Sequence, residues 1–220
     1  MPKWLKDNAL SIALFGLFAI FLVGQSLTGW RTYNSDQREH GEPTVDYGSY
    51  LTTGHFVEAT FENWESEFLQ MGAYVVLTVW LVQKGSSESK PPTGDPQLDA
   101  DPRMQRNDED APGPVRAGGW RLTMYENSLG IAFAVLFLLS MTLHALGGAR
   151  EFSAEQVAHG GSPVSVGRFV TTSAFWFQSF QNWQSEFVAV GTIVVLSIFL
   201  RQKGSPESKP VAAPHSETGS

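Results

Sequence analysis

"ALSIALFGLFAIFLVGQSL", Ala9 to Leu27, carries no charged residue from end to end. A helix needs about 20 such residues to cross the hydrocarbon core of a bilayer, so this stretch reads as a transmembrane span. "SLGIAFAVLFLLSMTLHAL", Ser128 to Leu146, reads the same way. Two shorter apolar runs, Phe68 to Val82 and Phe187 to Leu200, are ambiguous on length alone. Their flanks favour spanning, because Trp64 or Trp183 stands before each and Gln-Lys-Gly follows each. An aromatic at one interface and a basic anchor at the other is the usual arrangement of a membrane helix. The expectation is therefore an all-α membrane protein of four spans, at about 9–28, 66–83, 128–147 and 185–202.

The mean hydropathy of -0.12 conceals this class, since it averages the apolar runs with a polar middle and tail. The chain has no cysteine, which excludes disulfides, thiolate metal sites and cysteine nucleophiles. A net charge of -7 argues against a nucleic-acid partner, whose phosphates require a basic face.

Sliding the sequence on itself by about 119 residues aligns Lys3–Pro91 with Leu122–Pro210 without a gap, with roughly 36 of about 89 positions identical. Asn8 matches Asn127, Arg31 matches Arg150, and "QKGSSESKP" from Gln83 matches "QKGSPESKP" from Gln202. The domain reading is repeat 1 over 1–91, a linker over 92–119, repeat 2 over 120–210 and a tail over 211–220. The linker, rich in proline and acidic residues, and the tail are expected to be disordered. Lys3 and Lys6 before the first run imitate a secretory signal, but the run recurs internally without a cleavage site, so it is expected to be a retained helix. Of 15 lysines and arginines, placing the N-terminus inside leaves only Arg31, Arg38, Arg150 and Arg168 outside. That bias predicts cytoplasmic termini and linker. Two spans per repeat then make the repeats parallel, each with additional helical segments outside.

In those external segments, Asn34 and Ser153 are expected to cap short helices that Gly41 and Gly160 stop. The paired threonines at Thr52 and Thr171 open the long helices entering the membrane. Trp176, Phe180, Trp183 and Phe187 then fall on one helix face, matched by Val57, Phe61, Trp64 and Phe68. Such a stripe reads as packing at an interface.

A helix from Phe187 to Leu200 rises only about 21 Å against a core of about 30 Å, so each short span draws its entrance into the apolar layer. That entrance is "NWESEF" at Asn63–Phe68 and "NWQSEF" at Asn182–Phe187. Glu67 and Glu186 are expected to lose hydration there and to seek donors, with Asn63 and Asn182 four residues earlier on the same face. Gln25 and His144 hold matching positions near the outer ends of the preceding spans and are expected to bond the two glutamates. One reading has this cluster pinning helices together; the other makes it a protonatable transport site. Trp64 and Trp183 read as interfacial anchors.

His40 and His159 precede glycines at helix ends, where a histidine complements the dipole, and no metal site is assigned to them. Phosphate-binding, dinucleotide-binding, zinc-protease and nucleophile-elbow motifs are missing, which leaves an enzyme the least supported class. The doubled "NW(E/Q)SEF" and "QKGS(S/P)ESKP" resemble a bacterial family of small multi-pass membrane proteins classified only as a domain of unknown function. The resemblance covers most of both repeats and implies a location in the bacterial inner membrane, without a substrate, cofactor or catalytic residue. The functional expectation is a non-enzymatic structural or accessory membrane protein. The alternative is a small proton- or ion-coupled transporter or channel using Glu67 and Glu186. The expected partner is the lipid bilayer, with homo-oligomers left open and no small-molecule substrate identified.

Overall fold

The computed structural model describes residues 2–219, and every regular element among them is helical. They are α1 (Lys3–Asp7), α2 (Ala9–Glu39), α3 (Tyr47–Tyr50), α4 (Gly54–Leu77), a 3₁₀ turn (Pro102–Gln105), α5 (Gly113–Ala117), α6 (Gly119–Glu126), α7 (Ser128–Ala158), α8 (Val166–Phe169) and α9 (Ser173–Phe199).

Three of these, α2, α7 and α9, are long and apolar enough to cross a membrane; α4 is not, which corrects the expectation of four spans. The reason lies in "NWESEF". Glu62, Glu65 and Glu67 all fall within the last 18 residues of α4, whereas α9 contains Glu186 as its one charged side chain. α4 also stops at Leu77, short of the expected end near residue 83, and Thr78 to Trp80 form a turn. The β-branched run of Val75, Val76, Thr78 and Val79 is poor helix material, and the Thr78 hydroxyl donates to the Tyr74 and Val75 carbonyls, both at 3.0 Å.

α2 and α7 have 31 residues each, about 46 Å of helix, so each outlasts a hydrocarbon core of about 30 Å and continues beyond it. That continuity corrects the expected caps. Asn34 and Ser153 lie inside α2 and α7 rather than at the starts of separate helices. No proline interrupts either helix, and both side chains find partners elsewhere. Asn34 bonds the Val45 carbonyl and N–H, each at 2.8 Å, and Ser153 bonds the Val164 carbonyl and N–H at 2.8 and 2.7 Å. Each thereby pins the returning extended chain against its helix. The helices end at Gly41 and Gly160, whose φ values of 75° and 79° suit a left-handed cap. Thr53 and Thr172 then cap α4 and α9, accepting from the Phe56 and Phe175 N–H at 3.3 Å.

The chain divides into two compact units, one of Met1–Phe61 with Thr142–Phe175 and one of Glu62–Met141 with Trp176–Ser220. In the first unit Tyr50, Phe169 and Phe175 are fully buried. A Cβ on Gly29 would collide with the Tyr50 hydroxyl, and one on Gly148 would lie 2.6 Å from the Phe169 ring. These two glycines therefore let α3 and α8 seat their aromatic rings directly on the helix backbones.

In the second unit Trp176, Phe180 and Trp183 stack along α9 at 5.5 to 6.3 Å between centroids. Phe137 of α7 joins Trp183 edge to face at 6.2 Å. The segment 92–119, expected to be disordered, holds short-range turns. Asp101 accepts from the Arg103 N–H at 3.0 Å to open the 3₁₀ turn, Lys90 bridges Asp99 at 2.7 Å, and Val115 packs with Ala111 and Leu122. The Lys90 ammonium and the Asp95 N–H hold the Asp99 carboxyl below the usual carboxylate range.

Candidate functional site

The expected polar cluster divides between the units. In the first, Gln25 donates to the Ala59 carbonyl at 3.4 Å and to the Thr60 hydroxyl at 3.5 Å. His144 is fully buried and stacks on Phe175, with centroids 4.8 Å apart and planes at 28°. In the second, Glu67 and Glu186 come within electrostatic reach of each other. Ser66 and Ser185 donate to the carbonyls of Asn63 and Asn182 at 2.7 and 2.8 Å. Asn182, Glu186 and both tryptophans are half-buried, while Asn63 and Glu67 are exposed.

The buried carboxylate of this region is Glu65, which accepts from the Trp183 indole N–H at 3.0 Å and has no accessible surface. Glu65 occupies the one position at which "NWESEF" and "NWQSEF" differ, and its counterpart Gln184 is exposed. That single mismatch inside a repeated hexapeptide was the signal that could have identified it. A carboxylate closed off from solvent and bonded to an indole is a packing device.

A second group, absent from the sequence expectations, lies in the first unit. The Tyr50 hydroxyl is 3.0 Å from His55 Nδ1, and Tyr33 stands over both rings at 5.5 and 5.7 Å between centroids. Glu151 of α7 lies within electrostatic reach of His55. Tyr33 and Glu151 lie past the first roughly 20 residues of α2 and α7, the length a bilayer accommodates. Desolvation pushes the Glu151 carboxyl up, opposed by His55 and reinforced by Glu155 and Asp36. Burial together with the Glu151 charge pushes the Tyr50 phenol up to about 12 and raises Tyr33 as well. A phenol raised that far stays protonated, so Tyr50 meets His55 as a neutral hydroxyl. The sequence signal is again a broken repeat: the counterparts of Tyr33, Tyr50 and His55 are Phe152, Phe169 and Ala174.

A third group closes the far end of the second unit. Lys209, 1% exposed, donates to the carbonyls of Gly85, Glu217, His215 and Pro214 at 2.5, 2.8, 3.1 and 3.3 Å. Ser86 and Ser197 share a hydroxyl bond at 2.9 Å, and the Gly219 N–H donates to the Ser86 carbonyl at 2.9 Å. Residues 214–219 of the tail, expected to be disordered over 211–220, are thus drawn onto the turn at Gly85. The ammonium is satisfied by backbone oxygens, which suits a clamp and leaves no free donor face for a ligand.

What these sites belong to is a helical protein with three helices compatible with membrane insertion and polar groups gathered inside its units. The chain belongs to the family described as Domain of unknown function (DUF6766), whose model matches residues 1–220. No match was found among curated proteins, and none among solved structures.

Proposed function

We propose that the chain is an integral protein of the bacterial inner membrane with a structural or accessory, non-enzymatic role. The observation that carries this reading is the exposure of the apolar helices. Only 6% of the most apolar stretch of α2, 17% of that of α7 and 6% of that of α9 is buried within the protein. Apolar surface on that scale exceeds what a soluble monomer leaves uncovered, and lipid is the solvent that accepts it. The buried polar groups support a structural role, because Glu65, Ser86 and Lys209 are engaged by neighbouring side chains and backbone.

Charge supports an orientation. The stretches between α4 and α7 and after α9 carry nine of the 15 lysines and arginines, against Arg150 near the end of α7 and Arg168 between α7 and α9, which supports a cytoplasmic location for the linker and tail. The recurrence of local hydrogen bonds supports an internal repeat. Asn8 and Asn127 donate to Trp4 and Thr123, both at 2.8 Å, and the Gln83 and Gln202 N–H groups donate to Ser89 and Ser208 at 2.8 and 2.9 Å. Extraction of cell membranes with alkaline carbonate tests the reading: the chain is expected in the pellet, and release into the supernatant would refute it.

The approach of Glu67 to Glu186 favours one second reading, a small proton- or ion-coupled path. Ion flux into proteoliposomes, compared between wild type and the Glu67→Gln/Glu186→Gln variant, separates the two. The structural reading expects no flux above empty liposomes in either.

A further inference from the structure

The start of α4 lies directly on the backbone of α7. A Cβ on Gly147 would stand 2.6 Å from the Glu58 N–H nitrogen, and one on Gly148 would stand 2.9 Å from Glu58 Oε1. Two glycines in succession therefore let α4 close onto α7 and hold the Glu58 carboxylate against it. His144 precedes them by three and four residues, so it shares their face of α7. It is fully buried, with its ring stacked on Phe175. Glu62 follows Glu58 by four residues, and helix geometry alone puts the two half-buried carboxylates on one side of α4. One ligand atom from each of Glu58, Glu62 and His144 lies within 4.8 Å of the other two.

We propose that Glu58, Glu62 and His144 form a binding site for one divalent transition-metal ion. This goes beyond the accessory role and does not depend on it. Packing alone does not ask for these groups. The repeat places Phe177, Gln181 and Gln25 where Glu58, Glu62 and His144 stand, so all three ligand types are lost together at the related position. Two carboxylates one turn apart on a helix repel each other. An imidazolium supplies one positive charge to offset them, whereas a divalent ion supplies two. The donors also select the kind of ion. One imidazole with two carboxylates suits zinc, iron or manganese better than calcium, which takes about six to eight oxygens. Ligands about 2.0–2.2 Å from one ion lie at most about 4 Å apart, so binding draws the glutamate side chains slightly inward. The stacked imidazole of His144 and the glycine-seated Glu58 fix two of the donors before an ion arrives.

Zinc binding to the full, tag-free chain in detergent, after stripping with a chelator, tests this. Calorimetry is expected to find one zinc ion per chain with a Kd below about 10 µM. Glu58→Gln/Glu62→Gln and His144→Gln are each expected to weaken binding about a hundredfold. His159→Gln, at an exposed helix end, is expected to leave it unchanged. X-ray absorption at the zinc edge of wild type needs no variant to fold. It is expected to show nitrogen and oxygen ligands at about 2.0–2.2 Å, with one imidazole among them. Zinc should also raise the wild-type unfolding temperature, and chelator should reverse the rise. Failure to bind zinc, binding that survives both variants, or an ion held by two or more imidazoles would overturn the proposal and leave the three residues as an ion-pair cluster.

Discussion

Tyr33, Tyr50 and His55 occupy in the first repeat the places that Phe152, Phe169 and Ala174 occupy in the second. Both corners bury their central ring to 1% exposure, and both seat it on a glycine of the long helix. The apolar corner is held by ring packing. The polar corner adds one hydroxyl–imidazole bond and the nearby Glu151 charge, which make its stability depend on pH. One backbone thus accommodates two chemistries, and the hydroxyl of Tyr50 and the imidazole of His55 are additions to a fold that does not need them.

The largest effect expected from breaking this comparison is Phe169→Ala, which empties the apolar corner and should cost about 3–5 kcal/mol in detergent unfolding. Next comes Phe169→Tyr. This copies the polar corner's ring without its partner, leaves a buried hydroxyl unsatisfied and should cost about 1–3 kcal/mol. Adding Ala174→His to that variant supplies the missing imidazole and should recover part of the loss, so the double change should cost less than the sum of the singles. Tyr50→Phe makes the reverse graft and should cost about 0.5–1.5 kcal/mol, the worth of one hydrogen bond.

The smallest effect is the pH term. Glu151's carboxyl is raised in the folded state, so its contribution favours the fold below the ordinary carboxylate range and is lost as pH rises through the raised value. The unfolding midpoint of wild type should therefore fall on going from mildly acid to neutral pH. Glu151→Gln should remove that part of the slope, and an unchanged slope would exclude Glu151 as its source.

Much of the helix content was legible because its signals are local. Charge-free runs marked α2 and α7, and the paired threonines marked the starts of α4 and α9. The helix in front of Glu67 was legible too, but its span was not, since Glu65 entered the expectation only within "NWESEF" and Glu62 not at all. The short external helices were misplaced for a related reason: Asn34 and Ser153 are strong caps locally, but their tertiary bonds to Val45 and Val164 leave them inside longer helices. At the candidate site, depth was read from position along the helix, while the direction a side chain faces depends on neighbours that a sequence does not display. Gln25 thus meets Ala59 and Thr60, and His144 stacks on Phe175. Glu65 and the pair Tyr50–His55 lay in plain view as breaks in the repeat, at positions where matching residues had drawn the attention.

The proposed topology puts the linker and tail on one side of the membrane and the segment between α7 and α9 on the other. The native chain has no cysteine, so single introduced thiols report without background. Gln97→Cys, Ser216→Cys and Ser162→Cys all fall at exposed positions. With a membrane-impermeant maleimide on intact cells opened only at the outer membrane, Ser162→Cys should label at once. Gln97→Cys and Ser216→Cys should label only after the inner membrane is permeabilised. Immediate labelling of Gln97→Cys or Ser216→Cys, or protection of Ser162→Cys, would contradict the account.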